Sequence, residues 1–412
     1  MAERGIREYD GKLLLAKYIK NSSIPGKLVL VTPETKLGQL GEKNQWLKKT
    51  KLVVKPDQLF GKRGKNKLIL LNANLAQATA FIKKNMNRTA TVGKTTGVLT
   101  HFLIEPFVPH DEEYYLAMKM DRDGDNIYFS TKGGVDVEEN WANVKTTKVP
   151  ILGSLSNVDF KKLVPAGVKN REQIINFIKS VYKTFTELGF TYIEFNPFVF
   201  SGKNIVPLDL VAKLDDTAFF ENAAIWGDLE FPAPFGRKLT REEHYIKKID
   251  EDSGASLKLT ILNPKGKVWT MVAGGGASVI YSDTVCDLGF SKELANYGEY
   301  SGNPSTEETY NYAKTILDLM TRNNGKILII GGGIANFTDV AKTFTGIIQA
   351  LREYAPKLKK NKVKIYVRRG GPNFKEGLDN MRKLGKETGI PIKVHGPESH
   401  MTAVVPIALG VK

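Results

Sequence analysis

Apolar positions in the first half of the chain follow two different periods. From Ile174 to Leu188 they recur at three- and four-residue spacing, which predicts one face of a long helix that ends at Gly189. A second helix is predicted from Leu75 to Ile82. Short apolar runs predict strands at residues 28–31, 52–55, 102–105, 114–120, 127–129, 192–195 and 205–210. This mixture predicts an α+β domain.

In the second half, strand-like runs alternate with helical segments, and three of the runs end at glycine. The runs at 268–273, 327–330 and 363–367 precede the turns at 274–276, 331–333 and 368–371. Between them, Ser305 and Glu308 have the spacing of a helix-capping box. Alternating strand and helix predicts the α/β class, with an open, doubly wound parallel sheet. Ligands bind such sheets at the carboxyl ends of the strands, where these glycine turns lie.

A segment rich in helix breakers separates the two halves. Residues 232–236 read Pro-Ala-Pro-Phe-Gly, a composition typical of a linker. The sequence therefore predicts a first domain at 1–231, a linker at 232–240 and a second domain at 241–412.

Composition favours a cytoplasmic protein. No run of about 18 consecutive apolar residues is present, so no transmembrane helix is expected. The amino terminus has no apolar signal core. The one cysteine, Cys286, cannot form an internal disulfide and is expected to be a small core residue rather than a nucleophile.

The chain is basic, with 60 Lys and Arg against 44 Asp and Glu and a formal net charge of +16. Nucleic-acid binding is one interpretation of this charge. The basic residues are scattered, however, and no basic run with interleaved aromatic residues stands out. A surface that attracts small anionic substrates is therefore the favoured interpretation, and neither nucleic acid nor a membrane is expected as a partner.

The three glycine turns are suited to anions. Glycine lets the backbone approach a ligand, and a following helix directs free N–H groups at it. In the turn at 331–338, Asn336 and Thr338 add side-chain donors. Either could also cap the next helix, and the two roles are not exclusive. Arg368 and Arg369 follow the next strand, and a guanidinium group suits a carboxylate. Spacing does not select between the two arginines. The alternatives are surface salt bridges for the arginines and tight strand-to-helix packing for the glycines.

The first half holds candidate ligands for a nucleotide and a metal. Lys55 lies at a strand end, and the basic glycine loop at 61–65 follows it; the loop could cover phosphates or be a surface turn. Glu194, Asn196 and Asp209 lie on two neighbouring predicted strands. Carboxylate and amide oxygens suit Mg²⁺ bound together with ATP phosphates, and the alternative is a hydrogen-bonded pair at a sheet edge.

Other catalytic arrangements are not evident. None of the histidines lies in a glycine-rich loop typical of a phosphorylated histidine, and no Ser/His/Asp arrangement is present. Five histidines are therefore expected to be structural or on the surface: His101, His110, His244, His395 and His400.

Long segments along the chain resemble the ATP-citrate lyase family. They are VVKPDQ at 53–58, LIEPFVPH at 103–110, GGVDV at 133–137, WTMVAGGGAS at 269–278, LANYGEYSG at 294–302, GGIANFT at 332–338 and VRRGGPN at 367–373. The resemblance covers essentially the whole chain. The amino-terminal part of this family is similar to the β-subunit of succinyl-CoA synthetase, which implies an ATP-grasp domain followed by a flavodoxin-like domain.

The resemblance implies three sets of binding residues. Those for ATP are Lys55, Arg63, Gly64, Glu105, Pro106, Val108 and Glu113, with residues 105–109 and 111–113 lining a purine pocket. Those for Mg²⁺ are Asn196 and Asp209. The candidate citrate residues include glycines of the turns described above. They are Gly274, Gly275, Gly302, Gly332, Gly333, Asn336, Phe337, Thr338, Tyr354 and Arg369. The resemblance selects Arg369 over Arg368, which spacing could not do.

The chain departs from the family in three respects. Gly333 stands where the family often has serine, and residues 140–171 match poorly, so nothing is assigned there. The animal enzyme continues into a CoA-binding region, a phosphorylated histidine and a citrate-synthase-like region, none of which these 412 residues contain. The resemblance therefore implies the smaller subunit of a split, hetero-oligomeric form whose larger partner subunit carries those regions.

The expected function follows from this resemblance. With its partner, the chain would convert citrate, ATP and CoA to acetyl-CoA, oxaloacetate, ADP and phosphate, with CoA bound mainly by the partner. The alternatives are a subunit of a citryl-CoA synthetase without lyase activity, a succinyl-CoA synthetase β-type subunit, and a non-catalytic regulatory or assembly subunit.

Overall fold

The computed structural model describes residues 3–19, 26–134, 137 and 141–411. The chain divides into two compact units, Met1–Lys238 and Leu239–Lys412. Val135 and Asp136 of the GGVDV segment lie outside the described residues, as does Asn140 at the start of the unassigned stretch. Among the helices that are described, none is both long enough and apolar enough to cross a membrane.

The first unit is built on antiparallel sheets. Its strands are β1 (Glu3–Ile6), β2 (Val29–Val31), β3 (Leu52–Pro56), β4 (Leu70–Ala73), β5 (Thr89–Val92), β6 (Thr95–Val98), β7 (Phe102–Pro106), β8 (Tyr114–Asp121), β9 (Gly124–Ser130), β10 (Lys145–Pro150), β11 (Phe190–Ser201), β12 (Asn204–Pro207) and β13 (Leu210–Asp215). Its helices are α1 (Glu8–Tyr18), α2 (Leu40–Lys43), α3 (Leu75–Asn85), α4 (Phe160–Leu163), α5 (Arg171–Glu187) and α6 (Phe219–Trp226). The large sheet has the order β1-β13-β11-β8-β9-β10 with β12 on β11, a second sheet has the order β2-β7-β3-β4, and β5 pairs with β6.

The periodic helices pack as the apolar pattern predicts. Ile174, Ile178 and Val181 of α5 are fully buried in the core of the large sheet. The helix ends at Glu187, and Gly189 has a φ of +69°, the left-handed conformation that glycine adopts readily. α3 likewise packs into a separate core beneath the second sheet.

One predicted strand is wrong, and the difference shapes the site. Residues 205–210 do not form one strand, because β12 ends at Pro207 and β13 begins at Leu210. The break lies opposite residues 196–197 of β11, since Phe195 pairs with Leu210 and Phe198 pairs with Pro207. Proline cannot donate a ladder hydrogen bond, and a proline stands on each of the two facing strands here, Pro207 at the end of β12 and Pro197 on β11.

The second unit is an α/β layer structure. Its strands are β14 (Ser256–Ile261), β15 (Val268–Ala273), β16 (Asn296–Ser301), β17 (Ile327–Gly332), β18 (Lys364–Arg368) and β19 (Ile392–His395). Its helices are α7 (Arg241–Asp252), α8 (Gly275–Val285), α9 (Thr306–Arg322), α10 (Val340–Lys360), α11 (Phe374–Thr388) and α12 (Val404–Leu409). The predicted capping box at Ser305 and Glu308 is present at the start of α9.

The strand order of this sheet is β14-β16-β15-β17-β18-β19. Strands β15 to β19 are parallel to their neighbours, and β14 adds an antiparallel edge. Numbered from β15, the parallel strands have the flavodoxin order 2-1-3-4-5. β15 is buried on both faces: Trp269 and Met271 pack with α9 and α10, whereas Val268 and Val272 pack with α8 and α12. The predicted doubly wound sheet is therefore confirmed.

The predicted linker segment packs against the first unit. Phe235 is buried, and its ring centroid lies 4.3 Å from that of Phe60. A Cβ atom on Gly236 would lie 2.6 Å from the Thr95 methyl group, and Gly236 has a φ of +83°. The division between the units falls after Lys238.

Gly346 permits the close approach of α10 to α9. A Cβ atom at this position would lie 2.2 Å from the Thr306 carbonyl oxygen and 2.3 Å from Thr309 Oγ1. We expect Gly346→Ala to lower the free energy of unfolding of the second unit by about 1–3 kcal/mol, because overpacking forces the helices apart. Thermal unfolding measures this effect, with the exposed Gln349→Ala on the same helix as control. Equal stability of the two variants would contradict the close-packing argument.

Candidate functional site

In the first unit, three of the predicted ATP residues meet at one buried point. Lys55 on β3 and Glu105 on β7 lie on paired strands, and Lys55 Nζ is 2.7 Å from Glu105 Oε1. Arg63, in the loop after β3, donates to the Pro56 carbonyl oxygen at 3.0 Å and bonds to the Asp209 carboxylate. The geometry thus joins these residues to one of the two predicted metal ligands.

Two residues that the sequence analysis left unassigned complete this network. Glu8 and Lys12 lie one turn apart on α1 and are 4% and 2% exposed. Glu8 Oε1 lies 2.7 Å from both Lys12 Nζ and Lys55 Nζ, and Lys12 Nζ donates to Glu105 Oε2 at 2.7 Å. We call Glu8, Lys12, Glu105 and Lys55 the charge ring. Arg63 Nη2 forms a further ion pair with Glu8 Oε2 at 2.8 Å.

The network keeps its charges at neutral pH. Burial raises the pKa of Glu8, but Lys12, Lys55 and Arg63 together outweigh burial and leave that pKa well below its usual value. Burial lowers the pKa of Lys55, but Glu105 and Glu8 outweigh it and raise the net pKa above the usual value. For Asp209, burial raises the pKa and Arg63 opposes the rise. Lys55 and Arg63 are therefore held here as fixed cations, beside Lys12, the third cation of the network.

A small pocket adjoins the charge ring. Its charged end is formed by Lys12 and Glu105, and its remaining walls are largely apolar. They are Leu28, Pro106, Val108, Val206, Pro207 and Leu208. Pro106 and Val108 therefore share one pocket with Glu105, and apolar walls meet charged groups there. The cavity has a volume of about 20 Å³, which is smaller than a purine.

Asn196 and Asp209 lie opposite each other at the break between β12 and β13. The Asn196 N–H donates to the Asp209 carbonyl oxygen at 3.3 Å, and the Gly134 N–H donates to Asn196 Oδ1 at 2.8 Å. An amide oxygen and a carboxylate are hard ligands that suit Mg²⁺. Within the described residues, no group of three or more His, Cys, Asp or Glu side chains could hold a metal ion. This pair therefore fits a Mg²⁺ ion that takes its other ligands from phosphate or water.

The remaining ATP candidates lie at the margin of this group. Glu113 is adjacent to Gly134, where a Cβ atom would lie 2.3 Å from Glu113 Oε2, and Gly134 in turn bonds to Asn196. His110 Nε2 lies 3.1 Å from Glu113 Oε1. Gly64 is exposed and follows the buried Arg63 directly.

In the second unit, the glycine turns converge at the carboxyl edge of the parallel sheet. Gly274 follows β15, Gly302 follows β16, and Gly332 ends β17. β15 and β17 are neighbours, and the chain leaves β15 toward one side of the sheet and β17 toward the other. This crevice is the topological switch point, at which doubly wound sheets bind ligands.

Arg368 and Arg369 are both buried at this edge but differ in their partners. Arg368 donates to the carbonyl oxygens of Gly332 and Ser399. Arg369 Nη1 donates to the Gly333 carbonyl oxygen at 2.8 Å, whereas Arg369 Nε is buried and has no hydrogen-bond partner among the described residues. Burial lowers the pKa of Arg369, so an anion beside it would offset the cost of burying the cation. Arg369 thus has donor capacity for a carboxylate.

The loop at 333–338 is fixed at the same edge of the sheet, against the segment that follows β18. The Ala335 N–H donates to the Gly370 carbonyl oxygen at 2.9 Å. Thr338 is buried, whereas Asn336 and Phe337 are exposed. Asp339 caps α10, its side chain accepting from the Lys342 N–H at 2.9 Å. The capping alternative for Asn336 and Thr338 is therefore wrong, and α10 begins only at Val340, after the loop.

Tyr354 is not brought to this edge. It lies fourteen residues after Val340, or about 20 Å along the axis of α10 at about 1.5 Å per residue. Its hydroxyl is 3.4 Å from Asp318 Oδ1 on α9. The geometry therefore separates Tyr354 from the other candidate citrate residues.

Two residues at the switch point were missed by sequence reasoning. Glu299 lies against Gly275, where a Cβ atom would be 3.1 Å from Glu299 Oε1, and it accepts from the Tyr297 hydroxyl at 2.8 Å. This carboxylate at the start of α8 makes Gly275 a weaker anion ligand than the loop. The Tyr300 hydroxyl is buried without a partner in the described part of the chain, and burial raises the pKa of Tyr300 to about 12. The sequence signal that could have identified them is the alternation of buried and partly exposed positions along β16, within the segment LANYGEYSG at 294–302.

The buried carboxyl of Asp57 makes stability depend on pH. It accepts from the N–H groups of Glu8 at 2.8 Å and Tyr9 at 3.0 Å, and burial together with Glu8 raises the pKa of Asp57 to about 6. A raised carboxyl pKa stabilises the fold below the unfolded value of about 4 and loses this contribution as pH rises through 6. We expect Asp57→Asn to remove up to about 3 kcal/mol of the fall in unfolding free energy between pH 4 and 7.

Chemical unfolding at several pH values measures this slope. The control is Asp123→Asn, because the Asp123 side chain is 80% exposed. An Asp57→Asn variant with the same pH slope as the control would contradict the assignment.

Comparison with known proteins shows which family the chain resembles over both units. The family model described as "ATP-citrate synthase ATP-grasp domain" matches residues 2–226, and the model described as "ATP citrate lyase citrate-binding" matches residues 237–411. ATP-citrate synthase of Bos taurus is 52% identical over 420 residues, which cover 100% of this chain and 38% of that protein. ATP-citrate synthase alpha chain protein 2 of Arabidopsis thaliana is 49% identical over 413 residues, which cover 98% of this chain and 97% of that protein.

A solved structure is similar over the same extent. ATP citrate lyase from Methanothrix soehngenii, in complex with citrate and coenzyme A, is 55% identical and has a TM-score of 0.89. The match covers 99% of this chain and 100% of that chain.

Proposed function

The chain belongs to the ATP-citrate lyase family, also described as ATP-citrate synthase, and from that premise we propose that it is the ATP- and citrate-binding subunit of a two-chain enzyme. The chain spans 38% of the bovine relative but 97% of the Arabidopsis alpha chain. This difference supports a partner subunit that carries the CoA-binding, phosphohistidine and citrate-synthase-like regions. CoA would bind mainly to that partner, in a hetero-oligomer.

One observation carries the citrate assignment. Arg369 is buried at the switch point with its Nε unpartnered among the described residues, and the loop with Asn336 and Thr338 lies beside it. Citrate offers three carboxylates and a hydroxyl. A planar guanidinium group binds one carboxylate, and the loop supplies backbone and side-chain donors for the other groups.

The first unit would hold ATP at the charge ring. Lys55 and Arg63 would neutralise phosphate oxygens. The purine would lie against Pro106 and Val108, and the small pocket there must widen to admit it. Asn196 and Asp209 would hold Mg²⁺, which supplies charge neutralisation at the transferring phosphoryl group. For that, Arg63 must release the Asp209 carboxylate that it contacts here.

The two sites would act in sequence through the partner. The γ-phosphate passes from ATP to a histidine of the partner, and then to a carboxylate of citrate. The resulting citryl phosphate is an activated acyl group, which the CoA thiol attacks with release of phosphate. The partner then cleaves citryl-CoA to acetyl-CoA and oxaloacetate.

Calorimetric titration of the wild-type chain with citrate, and with succinate as control, tests the citrate assignment. We expect saturable binding of citrate and no binding of succinate, because succinate lacks the third carboxylate and the hydroxyl. The same titrations are repeated with the partner subunit present. Binding of succinate in preference to citrate in both settings would support a succinyl-CoA synthetase β-type subunit instead.

A further inference from the structure

The charge ring has a regular geometry that joins α1 to the nucleotide-binding strands. Glu8 contacts Lys12, Lys12 contacts Glu105, Glu105 contacts Lys55, and Lys55 contacts Glu8, each at 2.7 Å. Each charge therefore has two neighbours of opposite sign. The two acids and two bases balance, which offsets the cost of burying four ionised groups.

The two ring residues on α1, Glu8 and Lys12, contact three charged residues that are assigned to the nucleotide. These are Lys55, Arg63 and Glu105. The two carboxylate oxygens of Glu8 hold different cations, Oε1 holding Lys55 and Oε2 holding Arg63. Lys12 holds Glu105, which lines the small pocket. One helical turn thus fixes the relative positions of Lys55, Arg63 and Glu105.

The start of α1 is itself anchored to the end of β3, the strand that carries Lys55. The Asp57 carboxylate, just beyond β3, accepts from the Glu8 and Tyr9 N–H groups at the start of the helix. The backbone that carries Glu8 is thereby tied two residues from Lys55. Side chains locked by packing and by supporting hydrogen bonds are what hold a binding constellation within a fraction of an ångström.

We propose that Glu8 and Lys12 are positioning residues for Mg-ATP: they hold Lys55, Arg63 and Glu105 in the arrangement that receives the phosphates and the nucleoside. This inference rests on the proposed function of the first unit. A purely structural role would give the same ring but would leave nucleotide affinity unchanged when the fold is preserved.

The decisive variant is the double substitution Glu8→Gln with Lys12→Gln. Removing one member of a buried ion pair leaves an unpaired charge and destabilises the fold, whereas neutralising both members keeps the balance. Lys55 and Glu105 remain paired with each other, and Arg63 remains paired with Asp209, so we expect the melting temperature to stay close to that of the wild type. The matched control is Lys183→Gln with Glu187→Gln, an i,i+4 pair of α5 that is exposed.

A second variant, Glu8→Asp, tests the same idea without removing a charge. The aspartate side chain is one methylene shorter than that of glutamate. Its two carboxylate oxygens can therefore no longer contact Lys12, Lys55 and Arg63 at the same time. It provides the answer if the double variant fails to fold.

Calorimetric titration of the full chain with Mg-ATP, and separately with citrate, is the readout. We expect the double variant and Glu8→Asp to bind Mg-ATP about 10- to 100-fold more weakly than the wild type, the usual effect of removing a supporting partner. Citrate affinity and the control variant should be unchanged. Mg-ATP affinity within threefold of the wild type in a folded variant overturns the positioning role alone. Absence of Mg-ATP binding by the wild type, with and without the partner, overturns the proposed function as well.

Discussion

Arg369→Ala is expected to weaken citrate binding by about 100-fold and to leave Mg-ATP binding within twofold of the wild type. Truncating one member of a buried, hydrogen-bonded charge pair costs roughly 2–5 kcal/mol of binding free energy. Arg369 would form such a pair with a citrate carboxylate, because it is 5% exposed and its Nε has no partner among the described residues. Mg-ATP affinity should be unaffected, since Lys55, Arg63 and Asp209 belong to the other compact unit.

Two further variants separate charge from geometry. Arg369→Lys keeps the charge but loses the planar fork, so an intermediate loss of about tenfold is expected. Arg382→Ala removes an arginine that is half exposed on α11 and paired with Asp379, and it should change neither affinity. Calorimetry with both ligands measures all three variants. Equal loss of citrate and Mg-ATP affinity in Arg369→Ala would contradict the role of Arg369.

Lys55→Met should give the opposite pattern, with ATP-dependent phosphorylation of the partner histidine slowed about 100- to 1,000-fold. The substitution removes the cation that we propose neutralises the transferring phosphoryl group, and loss of one such electrostatic contact typically has an effect of this size. Methionine keeps the length of the side chain, while Glu8 and Glu105 keep Lys12 as a partner. Citrate binding should be retained.

Acid-labile phosphate on the partner subunit, measured in the reconstituted complex, reports this rate. Lys51→Met is the control, because Lys51 is exposed just before β3. A Lys55→Met complex that phosphorylates at the wild-type rate would remove Lys55 from the transfer step. A parallel loss of citrate binding would instead indicate a general folding defect.

The glycine turns could be predicted because their signals are local. Each follows an apolar run long enough to be a buried strand, and parallel strands place their carboxyl ends at one edge. The order of the strands was not local information, since β17 returns beside β15 after a crossover by α9. The predicted edge was therefore correct, but only the observed order locates the switch point between β15 and β17.

The charge ring could not be predicted from the sequence for a physical reason. Glu8 and Lys12 lie in the first half of α1, where the sequence Glu-Tyr-Asp-Gly-Lys is mostly polar, a pattern typical of a solvated surface. Their burial depends on partners far along the chain, since Glu8 and Lys55 are 47 positions apart and Lys12 and Glu105 are 93 positions apart. Periodicity does not register such pairs. The break at residues 208–209 was missed similarly, because it depends on how β12 and β13 pair along β11.

Product analysis with the reconstituted two-chain complex is the most direct test of whether this chain presents citrate for activation by ATP. The complex is supplied with Mg-ATP, CoA and either citrate or succinate, and ADP, acetyl-CoA, oxaloacetate and citryl-CoA are quantified. We expect ADP release with citrate but not with succinate, and equal amounts of acetyl-CoA and oxaloacetate. Accumulation of citryl-CoA would identify a synthetase without lyase activity. ADP release with succinate and none with citrate would contradict the claim that this chain presents citrate for activation by ATP.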